Sequence, residues 1–261
     1  MFDGQASRTA QGVAARRRAY PRVHAPYGRP DDDQRLQVDV GANEEAPADD
    51  PFDFYLRSRT AFVDHAAVDA IADGITQLVL VGAGYDGRSL RYAAPDVRWF
   101  ELDHPDTQTD KRACLDRLGI DSSAIGFGAA DFGVDDVAAV LAAAGHDPTV
   151  ATAFLSEGVS GYLPDDVLDR LLRTLVEVSP AGSRLAITLR LQPDTEAAVQ
   201  RHERMRDAVA ALGERLSSFI PRSEVAARLA STGWTVLTAV DTRGEPIASS
   251  TSNAAFVIAE H

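Results

Sequence analysis

From residue 59 onward, apolar and polar positions follow an alternating pattern of helix-like and strand-like segments. Residues 59–74, RTAFVDHAAVDAIADG, carry apolar side chains at helical spacing and stop at Gly74. The run QLVLVGAG that follows at 77–84 is short, β-rich and without alternation, the pattern of a strand buried on both faces. VRWFELDHP (97–105), closed by Pro105, predicts a second strand, and AIGFGAADF (124–132), ATAFLSEG (151–158) and SRLAITLRL (183–191) predict three more. Helical spacing lies between them at 107–118, 134–144 and 164–178. The last of these opens with Leu163-Pro164-Asp165-Asp166, where proline suits the first turn and the acids complement a helix N-terminus. Such alternation predicts a parallel sheet wound on both faces.

The two ends differ from this middle. A helix expected from Ser223 to Gly233 is followed by WTVLTAV, a short polar loop and AAFVIAE. Two strands without a helix between them predict a terminal antiparallel pair. At the other end, GANEEAPADDP (41–51) has linker composition. The expected organisation is therefore an arm or cap over residues 1–57 and a doubly wound α/β domain over 58–261. A helical segment is also expected after the fifth strand, around His202.

Composition narrows the class. The 261 residues are 45% hydrophobic and 25% charged, an ordinary globular balance. No apolar run approaches the roughly 18 residues that span a bilayer, and the first twenty residues lack a signal-peptide core. The single cysteine, Cys114, excludes an internal disulfide and a cysteine-cluster metal site. These features predict a cytoplasmic protein with no membrane partner; no metal-ligand cluster stands out, and a divalent metal is an alternative means of activating a hydroxyl acceptor. A net charge of −13 argues against a general nucleic-acid binder. The charge is uneven, however: residues 1–30 hold six arginines and one acid, and residues 31–57 hold nine acids and two arginines. The first stretch is either a solvated arm or an arm that folds over an anionic ligand. Lys111 is the only lysine against 25 arginines, a bias expected of a GC-rich bacterial genome.

The chemistry begins at Gly82-Ala-Gly84-Tyr-Asp-Gly87, which fits G-x-G-x-x-G. Glycines let a backbone turn tightly and approach a ligand, although a ligand-free strand-to-helix turn uses them equally. Glu101 and Asp103 follow Gly82 by 19 and 21 residues, where a carboxylate can bind ribose hydroxyls. NAD enzymes share that feature. Three others favour S-adenosylmethionine (SAM): a helix before the fingerprint strand, the acid–aromatic pair Asp131-Phe132 closing the third strand, and the terminal strand pair.

Arg59-Thr60, V-G-A-G-Y-D-G-R, F-E-L-D-H-P, A-D-F and L-S-E-G-V-S-G-Y-L occur in the order seen in the leucine carboxyl methyltransferase-like family, which includes bacterial polyketide O-methyltransferases. The chain resembles that family over about residues 55–191. The resemblance implies a Rossmann-like, mostly parallel seven-stranded sheet with a terminal antiparallel strand and an N-terminal helical cap. It implies that Arg59 grips the methionine carboxylate of SAM, whose shape suits a guanidinium fork. Gly82 and Gly84 would pack on the ligand, Asp103 (or Glu101) would bind ribose, and Asp131 with Phe132 would meet the adenine. Glu157 would face the ammonium group and the transfer site, and Tyr162 would line the acceptor pocket or pack in the core. The chain departs from the pattern where Gly87-Arg88 replaces a threonine–arginine step, and at His146, where an aromatic residue is usual. Arg16, Arg17 and Arg18 stand where relatives carry a basic cofactor contact.

The expected activity is SAM-dependent O-methyl transfer to a hydroxyl or carboxyl of a small molecule, releasing S-adenosylhomocysteine (SAH). A polar or anionic acceptor is preferred, because residues 1–57 hold few large apolar groups. A hydroxyl acceptor calls for a base, with His24, His202 and Glu157 as candidates. The rival expectations are an NAD(P)-dependent oxidoreductase and a non-catalytic SAM-binding domain. A homodimer is one assembly that the sequence leaves open.

Overall fold

The computed structural model of the chain describes residues 5–40 and 51–261. Its centre is a seven-stranded sheet in the order β3-β2-β1-β4-β5-β7-β6. The strands are β1 Gln77–Val81, β2 Arg98–Asp103, β3 Ile125–Ala129, β4 Thr152–Ser156, β5 Arg184–Arg190, β6 Thr235–Val240 and β7 Ala254–Glu260. The first five pair in parallel, and β7 inserts antiparallel between β5 and β6. This is the doubly wound sheet with a terminal antiparallel strand that the alternation predicts.

The helices are α1 Arg8–Arg17, α2 Pro30–Val40, α3 Pro51–Ala72, α4 Arg88–Arg91, α5 Pro105–Leu118, α6 Val137–Ala143, α7 Asp165–Glu177, α8 Glu196–Ala211 and α9 Val225–Ser231. Period-two side-chain alternation splits each central strand between two cores. Val79, Val81, Phe100, Leu102 and Phe154 face α6, α7 and α9, whereas Leu78, Leu80, Trp99, Ala153 and Leu155 face α3. Helix α7 presents Val167, Leu168, Leu171, Leu172 and Leu175 as one buried stripe. Trp234 fills the space beneath it, donating its indole N–H to the Leu172 carbonyl at 3.0 Å.

One difference from the sequence expectation, and one alternative that it left open, matter for the site. Helix α3 begins at Pro51, eight residues before the expected start, so it runs unbroken through positions 57 and 58. The rest of the expected linker, 41–50, lies outside the described residues. Proline is favoured at the first helical position, which is why a stretch of linker composition ends by opening a helix. The arginine-rich arm is also docked. Ser7 caps α1 by accepting from the Ala10 N–H at 3.0 Å, and Ala14, Ala15 and Arg17 are buried. Helix α2 packs beside it on a third small core with Leu36, Tyr85, Leu90 and Leu115. Among the described residues, no helix is long and apolar enough to cross a membrane.

Candidate active site

The carboxyl ends of β1, β2 and β4 converge beneath α1, the usual ligand position of such sheets. After β1 the chain turns through Gly82 (φ +71°) and Gly84 (φ +49°), a left-handed backbone that glycine adopts without penalty. A Cβ on Gly82 would sit 2.1 Å from Cγ2 of Val159. The Gly84 N–H donates to one oxygen of Asp103, and the His104 N–H donates to the other at 2.6 Å. Burial pushes the Asp103 carboxyl up to about 6 despite these two donors. Ala10 of α1 closes over the turn, 3.1 Å from where a Gly84 Cβ would lie.

Beyond β4, Glu157 is the hub of an ion-pair knot, with its side chain only 4% exposed. It receives Arg17 Nη2 at 2.9 Å, Arg59 Nε at 2.8 Å and Arg88 Nη1 at 2.6 Å. Arg88 also pairs with Asp86 and with Asp64 at 2.7 Å, and it donates to the Thr60 carbonyl at 2.9 Å. Arg22 extends the knot from Asp64 (2.7 Å) to Asp33 (3.0 Å). Burial pushes the Glu157 carboxyl up, but the guanidinium groups of Arg17, Arg88 and Arg59 outweigh it and hold it well below the usual carboxylate range. Asp64 is likewise held at about 2 by Arg88 and Arg22 against its burial. Arg17 Nε is buried without a partner. The donor set suits an amino-acid nucleoside: guanidinium groups for a carboxylate, Glu157 for an ammonium and Asp103 for vicinal hydroxyls.

A cavity of about 1090 Å³ adjoins the knot, walled by α1, the start of α3, α8, the end of β5 and the approach to β7. The knot and the cavity share two helices. Arg17 and Arg59 belong to the knot, whereas Ala15 and Arg16 of α1 and Tyr55 and Leu56 of α3 line the cavity. Tyr55 lies at the border, with Arg59 Cζ 5.3 Å and Arg190 Cζ 5.9 Å from its ring centroid. Burial raises the Tyr55 phenol, but the charges of Arg59 and Arg190 outweigh it, and the net shift is downward.

The residues singled out from the sequence are thus divided. Arg59, Gly82, Gly84, Asp103 and Glu157 converge, and Arg17 is the member of the arginine triplet that enters the knot. His202 lines the cavity, edge-on to Phe219 at 4.2 Å, and burial with Arg206 and Arg190 lowers it. Tyr162 sits on the 3-10 turn Ser160–Tyr162, with its phenol raised by burial. The remaining candidates are held by other contacts, with Asp131 and Phe132 following the carboxyl end of β3, where the Ala130 N–H donates to the Asp103 carbonyl at 2.8 Å. Glu101 is buried against Lys111 (2.6 Å) and Ser89. Phe132 belongs to the main core, and Asp131 caps its own turn by accepting from Gly133 N–H at 2.8 Å. His24 is exposed between α1 and α2 and does not line the cavity. His146 is buried at the opposite end of the sheet, 2.9 Å from Thr152 Oγ1. Sequence reasoning missed Asp64, Asp86, Tyr55 and Arg190. Asp86 and Arg88 lie inside the quoted glycine loop, and charged residues there were the available signal.

Residues 14–176 match the family model described as Leucine carboxyl methyltransferase. A protein of Mycolicibacterium gilvum (strain PYR-GCK), named "Putative S-adenosyl-L-methionine-dependent methyltransferase", is 36% identical over 173 residues, 66% of this chain and 56% of its own length. A protein of the same name from Mycobacterium sp. (strain KMS) is 35% identical over 206 residues, 76% of this chain and 67% of its own. The chain therefore spans little more than half of the first of these relatives. The crystal structure of a DUF574 family protein from Streptomyces avermitilis superimposes with a TM-score of 0.58 at 20% identity, covering 80% of this chain and 84% of that one, a likeness of fold. With the family model matching well over half of its length, the chain belongs to the leucine carboxyl methyltransferase family.

Proposed function

We propose that the chain is a SAM-dependent O-methyltransferase that acts on a polar or anionic small molecule. The observation that carries this reading is the shared wall: α1 and α3 supply Arg17 and Arg59 to the Glu157 knot and also line the adjoining cavity. A cofactor held at the knot would therefore lie next to an acceptor held in the cavity. Bound SAM supplies the electrophilic methyl group. Arg59 and the unpartnered Nε of Arg17 would hold its carboxylate, Glu157 its ammonium and Asp103 its ribose hydroxyls. The described part of the arm, α1 and α2, would act as the cap, with Ala10 of α1 lying over the glycine loop. The remaining work is proximity and orientation, which the cavity wall performs on the acceptor oxygen. For a hydroxyl acceptor, His202 and Tyr55 are the cavity-lining groups able to take its proton, whereas the three guanidinium groups on Glu157 leave it a weak base.

The test is thermal unfolding with SAH, NAD and NADP in separate samples, followed by transfer from labelled SAM to a panel of hydroxy acids. A ligand at about 100 times its dissociation constant adds roughly 2.7 kcal/mol of stability. Stabilisation by SAH alone supports the reading. Stabilisation by NAD or NADP alone overturns it in favour of an oxidoreductase. SAH binding without transfer to any hydroxyl or carboxyl acceptor would favour a binding domain.

A further inference from the structure

The described wall of the cavity is charged in one sense. Its described lining includes Arg8, Arg16, Arg190, Arg204 and Arg243 together with His202, and no aspartate or glutamate. This occurs in a chain whose net charge is −13. Arg8, Arg204 and Arg243 are exposed, and Arg16 lies 4.0 Å from Asp53. Arg190 is different. It ends β5, at the carboxyl edge where such sheets bind ligands, and it is partly buried. The inward-turned Arg17, Arg22, Arg59 and Arg88 each touch at least one carboxylate. Arg190 forms no ion pair with a described residue; its Nη1 approaches Met205 Sδ at 3.0 Å, and its face meets the Tyr55 ring. A thioether is a weak acceptor, so a partly buried guanidinium is left without a counter-charge among the described residues. Beside Arg190, where the Asn253 carbonyl accepts from the Leu191 N–H at 2.9 Å, Oδ1 of Asn253 is buried with no hydrogen-bond partner. Apolar surface completes the wall: Phe52 and Phe54 are exposed at 38% and 50%, and Phe219 and Leu212 stand opposite on the α8 side.

We propose that Arg190 is the anchor of an oxyanion-binding subsite, and that the acceptor is an amphipathic anion whose carboxylate or phosphate pairs with this guanidinium. Its apolar body lies along the Phe52, Phe54 and Phe219 surface, and a hydroxyl or amide N–H on it donates to Asn253. The planar fork of arginine matches either oxyanion. This assignment rests on reading the cavity as the acceptor site of a methyltransferase.

The experiment is calorimetric titration of the full chain, with and without saturating SAH, using 1-naphthoate, 1-naphthyl phosphate and the neutral 1-naphthamide. At least one anion should bind tenfold or more tightly than the amide, and comparison of the two anions identifies which oxyanion is taken. Arg190→Gln should weaken the anion by tenfold to a hundredfold and leave the amide unchanged, and Arg190→Lys should restore part of the loss. Equal binding of amide and anions, no binding of either anion, or an Arg190→Gln protein with full anion affinity would each overturn the assignment. Should Arg190→Gln not fold, discrimination by the wild-type chain and the Lys variant still decide. SAH binding without anion preference removes the subsite alone; anion binding without SAH binding removes the methyl-transfer reading instead.

Discussion

Replacing Glu157 by glutamine keeps the shape of the side chain and removes its charge from the centre of the knot. The consequence can be worked out partner by partner. Arg88 keeps Asp64 at 2.7 Å and its bond to Asp86, and Arg17 keeps Asp86 at 3.8 Å. Arg59 keeps no described carboxylate, only the face of the Tyr55 ring, 5.3 Å from its Cζ. The variant therefore buries about one uncompensated guanidinium, a loss of about 3–5 kcal/mol when one partner of a buried pair is removed. Against a typical total stability of about 5–15 kcal/mol, this is a large fraction, and it should lower the melting temperature by roughly 10 °C.

The pH dependence supplies the sharper check. The folded Glu157 carboxyl lies well below its unfolded value, so its contribution is complete above an unfolded pKa of about 4.3 and is lost as pH falls through the folded value. Urea unfolding of both proteins should give the widest gap near neutrality and a closing gap in acid. Equal midpoints at pH 7 would refute the account, and a gap that stays constant into acid would mean that packing, not charge, is being measured. A double-mutant cycle with Arg59→Gln should give a combined loss smaller than the sum, because each variant removes the same pair.

Asp103 carries a different signature. Its folded value is raised to about 6, so its ionisation opposes folding, and stability should fall as pH climbs from about 4 to 6, a slope that Asp103→Asn should flatten. The ionised form is the better acceptor for ribose hydroxyls, so SAH affinity should rise across the same window in the wild type and not in the variant, as calorimetry would record. Among the six tyrosines, Tyr20, Tyr27, Tyr85, Tyr92 and Tyr162 are raised and Tyr55 alone is lowered. Phenolate absorbance should therefore show one early ionisation that disappears in Tyr55→Phe; its persistence would refute the pairing with Arg59 and Arg190. Gly82→Ala must fit a Cβ 2.1 Å from Val159 at φ +71°, which should destabilise the fold by about 1–3 kcal/mol, with partial relief in a Val159→Ala background; an unaffected single variant would refute the close approach.

What was legible in the sequence was local. The five parallel strands and the terminal pair are readable because their side chains are buried on both faces or bounded by turn residues within a few positions. The glycine turn and Asp103 are legible for the same reason, since one βαβ step fixes their spacing. Helix α1 is hidden because it buries little more than Ala14, Ala15 and Arg17, too small an apolar stripe to show periodicity. The start of α3 is hidden because acids and prolines read as linker until Pro51 is seen to occupy a first turn. The Glu157 knot joins residues 140 and 98 positions apart, and Tyr55 meets Arg190 only because α3 crosses the end of β5. Charge composition announces that the arm carries arginines without naming the carboxylates that receive them.

The distribution of those arginines explains why an acidic chain has a cationic interior at one end of its sheet. Burying a guanidinium is unfavourable unless a carboxylate accompanies it, and the chain meets this requirement with Asp33, Asp64, Asp86 and Glu157, each drawn into the knot. The acids therefore serve as fixed counter-charges that hold arm, glycine loop and α3 in one arrangement before any ligand arrives. A ligand carrying both carboxylate and ammonium can enter such a network by exchanging partners, with no new net charge to bury. The same requirement applied to Arg190 gives the opposite result, because no described carboxylate reaches it. The knot is internally neutralised and would suit a zwitterionic group, whereas the described wall of the cavity is cationic and would suit an anion. On the proposed reading, two neighbouring compartments built from the same two helices would take chemically different occupants, which is what a two-substrate transfer site requires.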